Sequence, residues 1–210
     1  MELSIGFIND VHGYLEPHPE LFYGKDGAYI KAAGGYAKIA TVFNRIKSES
    51  GHALFFDGGD TFHGTLPVVS SRGEALIPVL RQLGFSGMVG HWDFAYKPEH
   101  LLALAGQLNY PVLGINVYKE DGTLLLDPYA IIETGNLKIA VIGICSNIID
   151  KTMPSEFKKG IYVTDATVEI DGYIKEVKEL GASLVILLSH NGYPQDIELL
   201  KNTKGIDVCL

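Results

Sequence analysis

Asp10 and His12 around Val11, Asp60 behind the glycine pair Gly58-Gly59, and His190 behind Ser189 are the residues whose types and spacing could do chemistry. Carboxylates and imidazoles are ligands for divalent cations, and a cation so held polarises a substrate and acidifies water. Asp10 and His12 lie two positions apart at the end of an expected strand, where the period-two alternation of side chains would aim both into one crevice. Taken alone, Asp-x-His also marks a surface turn. Asp60 follows two glycines that permit a sharp turn, and each of its carboxylate oxygens could serve a separate ion. A polar turn is the competing reading. His190 ends an aliphatic run, either as a ligand or as a hydrogen-bonded histidine at the rim of a core. His91, in Val89-Gly90-His91-Trp92-Asp93-Phe94, is a fifth candidate. The alternative there is a loop that caps the next helix, with Trp92 anchored in the core. These fragments gain weight together because each falls where an expected strand ends, the edge at which α/β sheets place their sites.

Asp93 is expected either to hydrogen-bond a ligand histidine or to lead into the following helix. His63 is close enough to Asp60 in sequence to reach a ligand or the substrate, and a plain loop histidine is the alternative. His18, His52 and His100 carry no motif support.

The strands that would position these residues are short apolar runs at about 3–8, 53–56, 87–89, 111–115, 130–132, 139–144 and 184–188, suited to burial on both faces. Helix-period segments lie between them at about 35–50, 73–84, 97–108, 167–180 and 194–203. In the first, Ile39, Val42, Phe43 and Ile46 form an apolar stripe opposite Lys38, Arg45 and Lys47. The alternation predicts an α/β fold with helices covering layered sheets. Gly135-Asn136 signals a tight antiparallel hairpin, so a mixed sheet is expected. Residues 13–33, with Pro17, Pro19, Gly24 and Gly27, read as one long irregular loop.

Composition excludes several classes. The net charge is -8 and no dense Lys/Arg cluster exists, which argues against a nucleic-acid partner. No apolar run reaches the ~18 residues of a spanning helix, so no membrane partner is expected. The sequence as written predicts a cytoplasmic protein, or an exported one if a leader has been removed. Neither G-x-G-x-x-G after the first strand nor a P-loop occurs, which removes the main support for nucleotide-cofactor folds. Cys145 and Cys209 sit in apolar runs and read as buried thiols.

Asp10-x-His12, Gly59-Asp60, Gly90-His91-Trp92-Asp93 and Ser189-His190, in this order, resemble the motifs of the calcineurin-like metallophosphoesterases, in particular their 5'-nucleotidase branch. The likeness extends through Gly34-Gly35-Tyr36-Ala37-Lys38-Ile39-Ala40 and covers almost the whole chain. It implies a four-layer α/β/β/α sandwich over residues 1–210, with mixed sheets, and two divalent ions, commonly Mn, Fe, Zn, Mg or Ca, that activate a bridging water. By the same resemblance Asp10 and His12 hold the first ion, Asp60 bridges, and His91 and His190 hold the second. The substrate it implies is a small phosphate ester or nucleotide.

There are two departures from that pattern. Where the family carries Gly-Asn-His-Asp/Glu, this chain has His91 in place of the amide ligand and Trp92 in place of the histidine credited with protonating the leaving group. The carboxylate that supports that histidine falls at Ala95. The Gly-His-Trp-acid pattern with Ser189-His190-Asn191-Gly192 is instead similar to the thiosulfohydrolases of sulfur oxidation, which implies a sulfur-carrier protein as an alternative partner. A thiolate leaves more readily than a sugar alkoxide, since its parent thiol has a pKa of ~8.5. The family's last metal motif, Gly-His-x-His, is expected just past Leu210, so the domain is expected to lack its C-terminal part, and a noncatalytic relic or binding module on the same scaffold is the alternative to a hydrolase.

Overall fold

The computed structural model describes residues 2–210. In chain order these form β1 (Ser4–Ile8), β2 (His18–Gly24), β3 (Gly27–Ala33), α1 (Tyr36–Glu49), β4 (Ala53–Asp57), α2 (Leu66–Ser70) and α3 (Ile77–Leu83). There follow β5 (Gly87–Met88), α4 (Pro98–Ala105), β6 (Val117–Lys119), β7 (Tyr129–Thr134), β8 (Leu137–Ile144) and α5 (Ile149–Thr152). The last elements are β9 (Ile161–Val163), α6 (Ile170–Glu179), β10 (Leu184–Ser189), α7 (Tyr193–Asn202) and β11 (Val208–Cys209).

Strand alternation sorts these elements into four layers. One sheet runs β1-β4-β5, all parallel, and a second runs β11-β10-β8-β7, with only β7 antiparallel. Leu54 and Phe56 of β4 pack with Ile139 and Val141 of β8 and with Ile186 and Leu188 of β10, so the two sheets meet face to face. The residues between them point the other way. Phe55 joins Tyr36 and Phe43 of α1, Leu80 of α3 and Leu101 of α4, while Ala140, Ile142, Val185 and Leu187 pack with Ile170, Ile174 and Val177 of α6 and Leu199 of α7. Strands covered on both faces are apolar at their buried positions, which is why residues 139–144 of β8 and 184–188 of β10 read as apolar runs. Full burial of a ring such as Phe56 contributes about 1.5–3 kcal/mol. This is the expected α/β/β/α sandwich, with one mixed sheet as expected and the other, β1-β4-β5, wholly parallel.

Three expectations differ from the structure. Residues 13–33 are not irregular throughout: β2 and β3 pair antiparallel from His18↔Ala33 to Gly24↔Gly27 around Lys25-Asp26. Leu21, Phe22, Tyr23, Tyr29 and Ile30 are all exposed there, so burial imposes no alternation that would announce a hairpin. Residues 111–115 run beside β5 through the isolated bridge Met88↔Val112, without forming a ladder, and β6 pairs with β9 instead. The helix expected over 73–84 is a 3₁₀ turn, Glu74–Leu76, followed by α3, because Pro78 is suited only to a first helical turn.

Candidate metal centre

Every candidate ligand lies just beyond the C-terminal end of a strand. β1 and β4 run parallel as far as the pair Ile8↔Asp57, then diverge into two loops that stay hydrogen-bonded. Asp10 donates its N–H to the Gly59 carbonyl and His12 donates to the Asp60 carbonyl, each at 2.9 Å. The expected strand alternation is not what brings Asp10 and His12 together. β1 ends at Ile8, and Asp10 and His12 adopt φ of 53° and 48°. Asp60, at φ 56°, is left-handed as well. Such conformations cost non-glycine residues of order 1–3 kcal/mol each and persist where surrounding contacts impose them, commonly at functional sites. Glycine makes the close approach of the loops possible: a Cβ on Gly59, at φ 94°, would lie 2.6 Å from the Val89 carbonyl oxygen.

The candidate ligand atoms fall into two groups. Asp60, His91 and His190 form one, and Asp10, His12 and Asp60 the other, with the atoms of each group within 4.8 Å of one another. Asp60 belongs to both. Its Oδ1 lies 3.5 Å from His91 Nδ1, and its Oδ2 lies 3.6 Å from His12 Nε2 and 3.8 Å from His190 Nε2. The far nitrogens of two imidazoles are held. His190 Nδ1 faces the Gly58 carbonyl at 2.5 Å and His91 Nε2 faces Thr152 Oγ1 at 2.9 Å, while Thr152 donates to the Ile148 carbonyl. Because Gly58 can only accept there, His190 Nδ1 carries the proton and Nε2 offers its lone pair to the centre. Oxygen and imidazole nitrogen donors with anchored outer ring nitrogens fit a divalent cation. A cavity of about 600 Å³ opens beside them, lined in part by Asp10, Asp60, His91, His190, Asn191 and Tyr193.

Carboxylates below the ligands set the local electrostatics. Burial pushes the Asp60 carboxyl upward, but hydrogen bonds from His91 and Trp92, with the charge of His190, outweigh it and hold the pKa below the ordinary value. Asp57, fully buried, is raised by desolvation to about 7, against the opposing hydrogen bonds of the Gly59 N–H and Thr61 hydroxyl. Asp93, also fully buried, neither touches a ligand imidazole nor merely opens a helix. It accepts backbone N–H groups from Asp60, Thr61, Phe62 and His91.

Trp92 is half-buried against the outer core, with its ring centroid 5.0 Å from that of His63 and 6.5 Å from that of Phe157. His63 lies at the site, its ring 5.9 Å from His12, and burial followed by the proximity of His12 depresses its pKa. The remaining histidines lie elsewhere: His18 pairs with Glu20, His52 with Thr134 Oγ1 and His100 with the Arg72 carbonyl. Cys145 and Cys209 are free thiols, pushed by burial to about 12 and about 11. Sequence reasoning missed Thr152, 61 residues from His91 and without a motif, and the structural use of Asp57 and Asp93.

Fold and site together define a calcineurin-like phosphoesterase. That family's model matches residues 3–209, and the chain belongs to the family. Among its relatives, a probable 5'-nucleotidase of Treponema pallidum is 34% identical over 215 residues, covering 100% of this chain and 36% of the relative. The NAD 5'-nucleotidase of Haemophilus influenzae is 32% identical over 216 residues, covering 100% of this chain and 35% of the relative. The chain thus spans about a third of the length of these relatives. The solved structure of the Haemophilus influenzae NAD nucleotidase superposes with a TM-score of 0.86 at 29% identity, over 99% of this chain and 37% of that one. The sulfate thiohydrolase SoxB of Thermus thermophilus shares the fold, with a TM-score of 0.88 at 22% identity over 99% of this chain and 47% of that one.

Proposed function

We propose that this chain is the metal-binding part of a two-metal phosphoesterase that hydrolyses nucleotides or similar phosphate esters. The observation that carries the reading is the shared carboxylate: Asp60 belongs to both ligand groups, with His91 facing its Oδ1 and both His12 and His190 facing its Oδ2. The 5'-nucleotidase relatives supply the substrate class.

His91 and His190 present Nδ1 and Nε2 respectively toward Asp60, and Asp10 and His12 complete the opposite side. When bound, divalent ions there supply Lewis acidity, lowering the pKa of a coordinated water and offsetting charge at the phosphoryl group. The side chains themselves fix the cation positions and leave the adjoining cavity for the ester. No imidazole stands at position 92, and Ala95 offers no carboxylate to orient one. A general acid contributes roughly 10²–10⁴-fold, so substrates whose leaving groups need little protonation are favoured. Phosphoanhydrides and acidic phosphate esters meet that condition.

Trp92 and Ala95 also favour a second reading, release of sulfate from a thiosulfonate on a carrier-protein cysteine, because a thiolate leaves without protonation. Hydrolysis of NAD, a nucleoside monophosphate, p-nitrophenyl phosphate and a cysteine S-sulfonate by the full protein with Mn²⁺ separates the two. Turnover of the phosphate compounds above the S-sulfonate is expected, with NAD and the nitrophenyl ester ahead of the monophosphate. Turnover confined to the S-sulfonate would favour the second reading, and none on any compound would defeat both.

A further inference from the structure

The backbone amides of Asp60, Thr61 and Phe62 all converge on one carboxylate. Asp93 has no exposed surface, and its side chain accepts Asp60 N–H at 2.8 Å and His91 N–H at 3.2 Å on Oδ2. Its Oδ1 accepts Thr61 N–H at 2.9 Å and Phe62 N–H at 2.8 Å. Three successive amides converging on one anion form a nest, and the anion at its centre fixes the backbone of all three residues. The first of these, Asp60, is the one held at φ 56°.

The contact is reciprocal. Trp92, beside Asp93, donates its N–H to Asp60 Oδ1 at 2.6 Å. The backbone of Asp60 is therefore bound to the side chain of Asp93, and the side chain of Asp60 to the backbone of the segment that holds Asp93. Rotation of the Asp60 carboxylate would break the Trp92 bond, and movement of the loop would strand buried N–H groups, each costly to leave unpaired. The fourth amide, His91, adds a metal-ligand candidate to the same knot.

We propose that Asp93 is a positioning residue that presets Asp60 to bridge two cations and fixes the spacing between the Asp60 and His91 loops. This rests on the two-metal reading above. The anion is essential to the arrangement: an amide in its place keeps one acceptor oxygen but turns an NH₂ group toward backbone N–H donors. Asp93 itself need touch neither cation nor substrate.

The test compares the full protein with Asp93→Asn, using Mn²⁺ as the probe and reading equilibrium binding together with the electron paramagnetic resonance spectrum. The unaltered protein is expected to bind two ions and show an exchange-coupled Mn pair. Asp93→Asn is expected to bind Mn²⁺ about 10- to 100-fold more weakly, the range for loss of an outer support, and to lose the coupled signal. A purely structural Asp93 would lower the thermal midpoint while affinity and coupling stayed within twofold, and that result overturns the proposal alone. Failure of the unaltered protein to bind Mn²⁺ would overturn the two-metal reading and the proposal together. If Asp93→Asn does not fold, hydrogen exchange of the unaltered protein decides. The amides of Asp60, Thr61 and Phe62 are expected to be protected without metal, whereas protection appearing only after Mn²⁺ is added would show that the cations, not Asp93, order the loop.

Discussion

The two sides of the Asp60 carboxylate are built differently. On one side His91 and His190 are 8% and 13% exposed, and their far ring nitrogens are tied to Thr152 and the Gly58 carbonyl. On the other, Asp10 and His12 are 49% and 34% exposed on a loop of left-handed residues, with Asn9 Nδ2 donating to Asp10. A side chain already held in its binding pose loses little freedom when a cation arrives, whereas an exposed one is ordered at that moment. On the two-metal reading the buried side would be the tight subsite and the open side the exchangeable one. The same contrast separates the knot around Asp93 from the β2-β3 hairpin: one is defined by buried polar contacts between distant segments, the other by local pairing in solvent.

Removing the shared group erases the contrast. Asp60→Ala is expected to abolish binding at both subsites under Mn²⁺ concentrations that saturate the unaltered protein. Activity should fall by about 10²–10³-fold or more, the scale for deleting one group that stabilises transition-state charge. Elemental analysis after dialysis checks this, and unchanged metal stoichiometry would refute the bridging assignment. Next in size, His190→Ala is expected to remove the tight step of a calorimetric Mn²⁺ titration, while His12→Ala removes the weak step and spares the tight one. Equal effects of the two substitutions would break the comparison.

Smaller changes sharpen it. Thr152→Val keeps the volume of the side chain and deletes the group facing His91 Nε2, so the tight step alone is expected to weaken by about 10-fold, the lower end for such supports. The pH dependence is subtler. Desolvation raises buried Asp57 to about 7. The folded state then holds a proton that the unfolded chain, with an ordinary carboxyl, releases lower down. This contribution to stability is complete below about pH 4 and is lost as pH rises through about 7. Denaturant midpoints of the metal-free protein are expected to fall between about pH 4 and 7, and Asp57→Asn to flatten that slope.

How far each feature was legible in the sequence follows from the same division. Strands buried on both faces, such as β8 and β10, carry a polar residue only near one end, Lys138 and Ser189 respectively, and tight turns such as Gly135-Asn136 mark the hairpin that makes the second sheet mixed. The five ligand candidates could be named because their carboxylates and imidazoles recur together at strand ends, although each fragment alone also reads as a turn or loop. Their geometry was not. Asp10 and His12 converge through left-handed backbone rather than strand alternation, and local sequence does not announce that conformation outside glycine. Thr152 is a common residue whose use depends on α5 folding back over His91. Asp93 was singled out, yet its acceptance of four backbone amides depends on two loops meeting. The β2-β3 hairpin was hidden for the opposite reason, since its exposed apolar residues face no core that would impose a period.

Anomalous X-ray scattering from crystals of the full protein soaked in Mn²⁺ is the most direct measurement. Two peaks about 3.5–4 Å apart, the separation usual for paired catalytic ions, are expected on either side of the Asp60 carboxylate, with higher occupancy beside His91 and His190. A single peak with Asp60 bound at one oxygen only, or peaks away from these residues, would contradict a centre built around a shared Asp60.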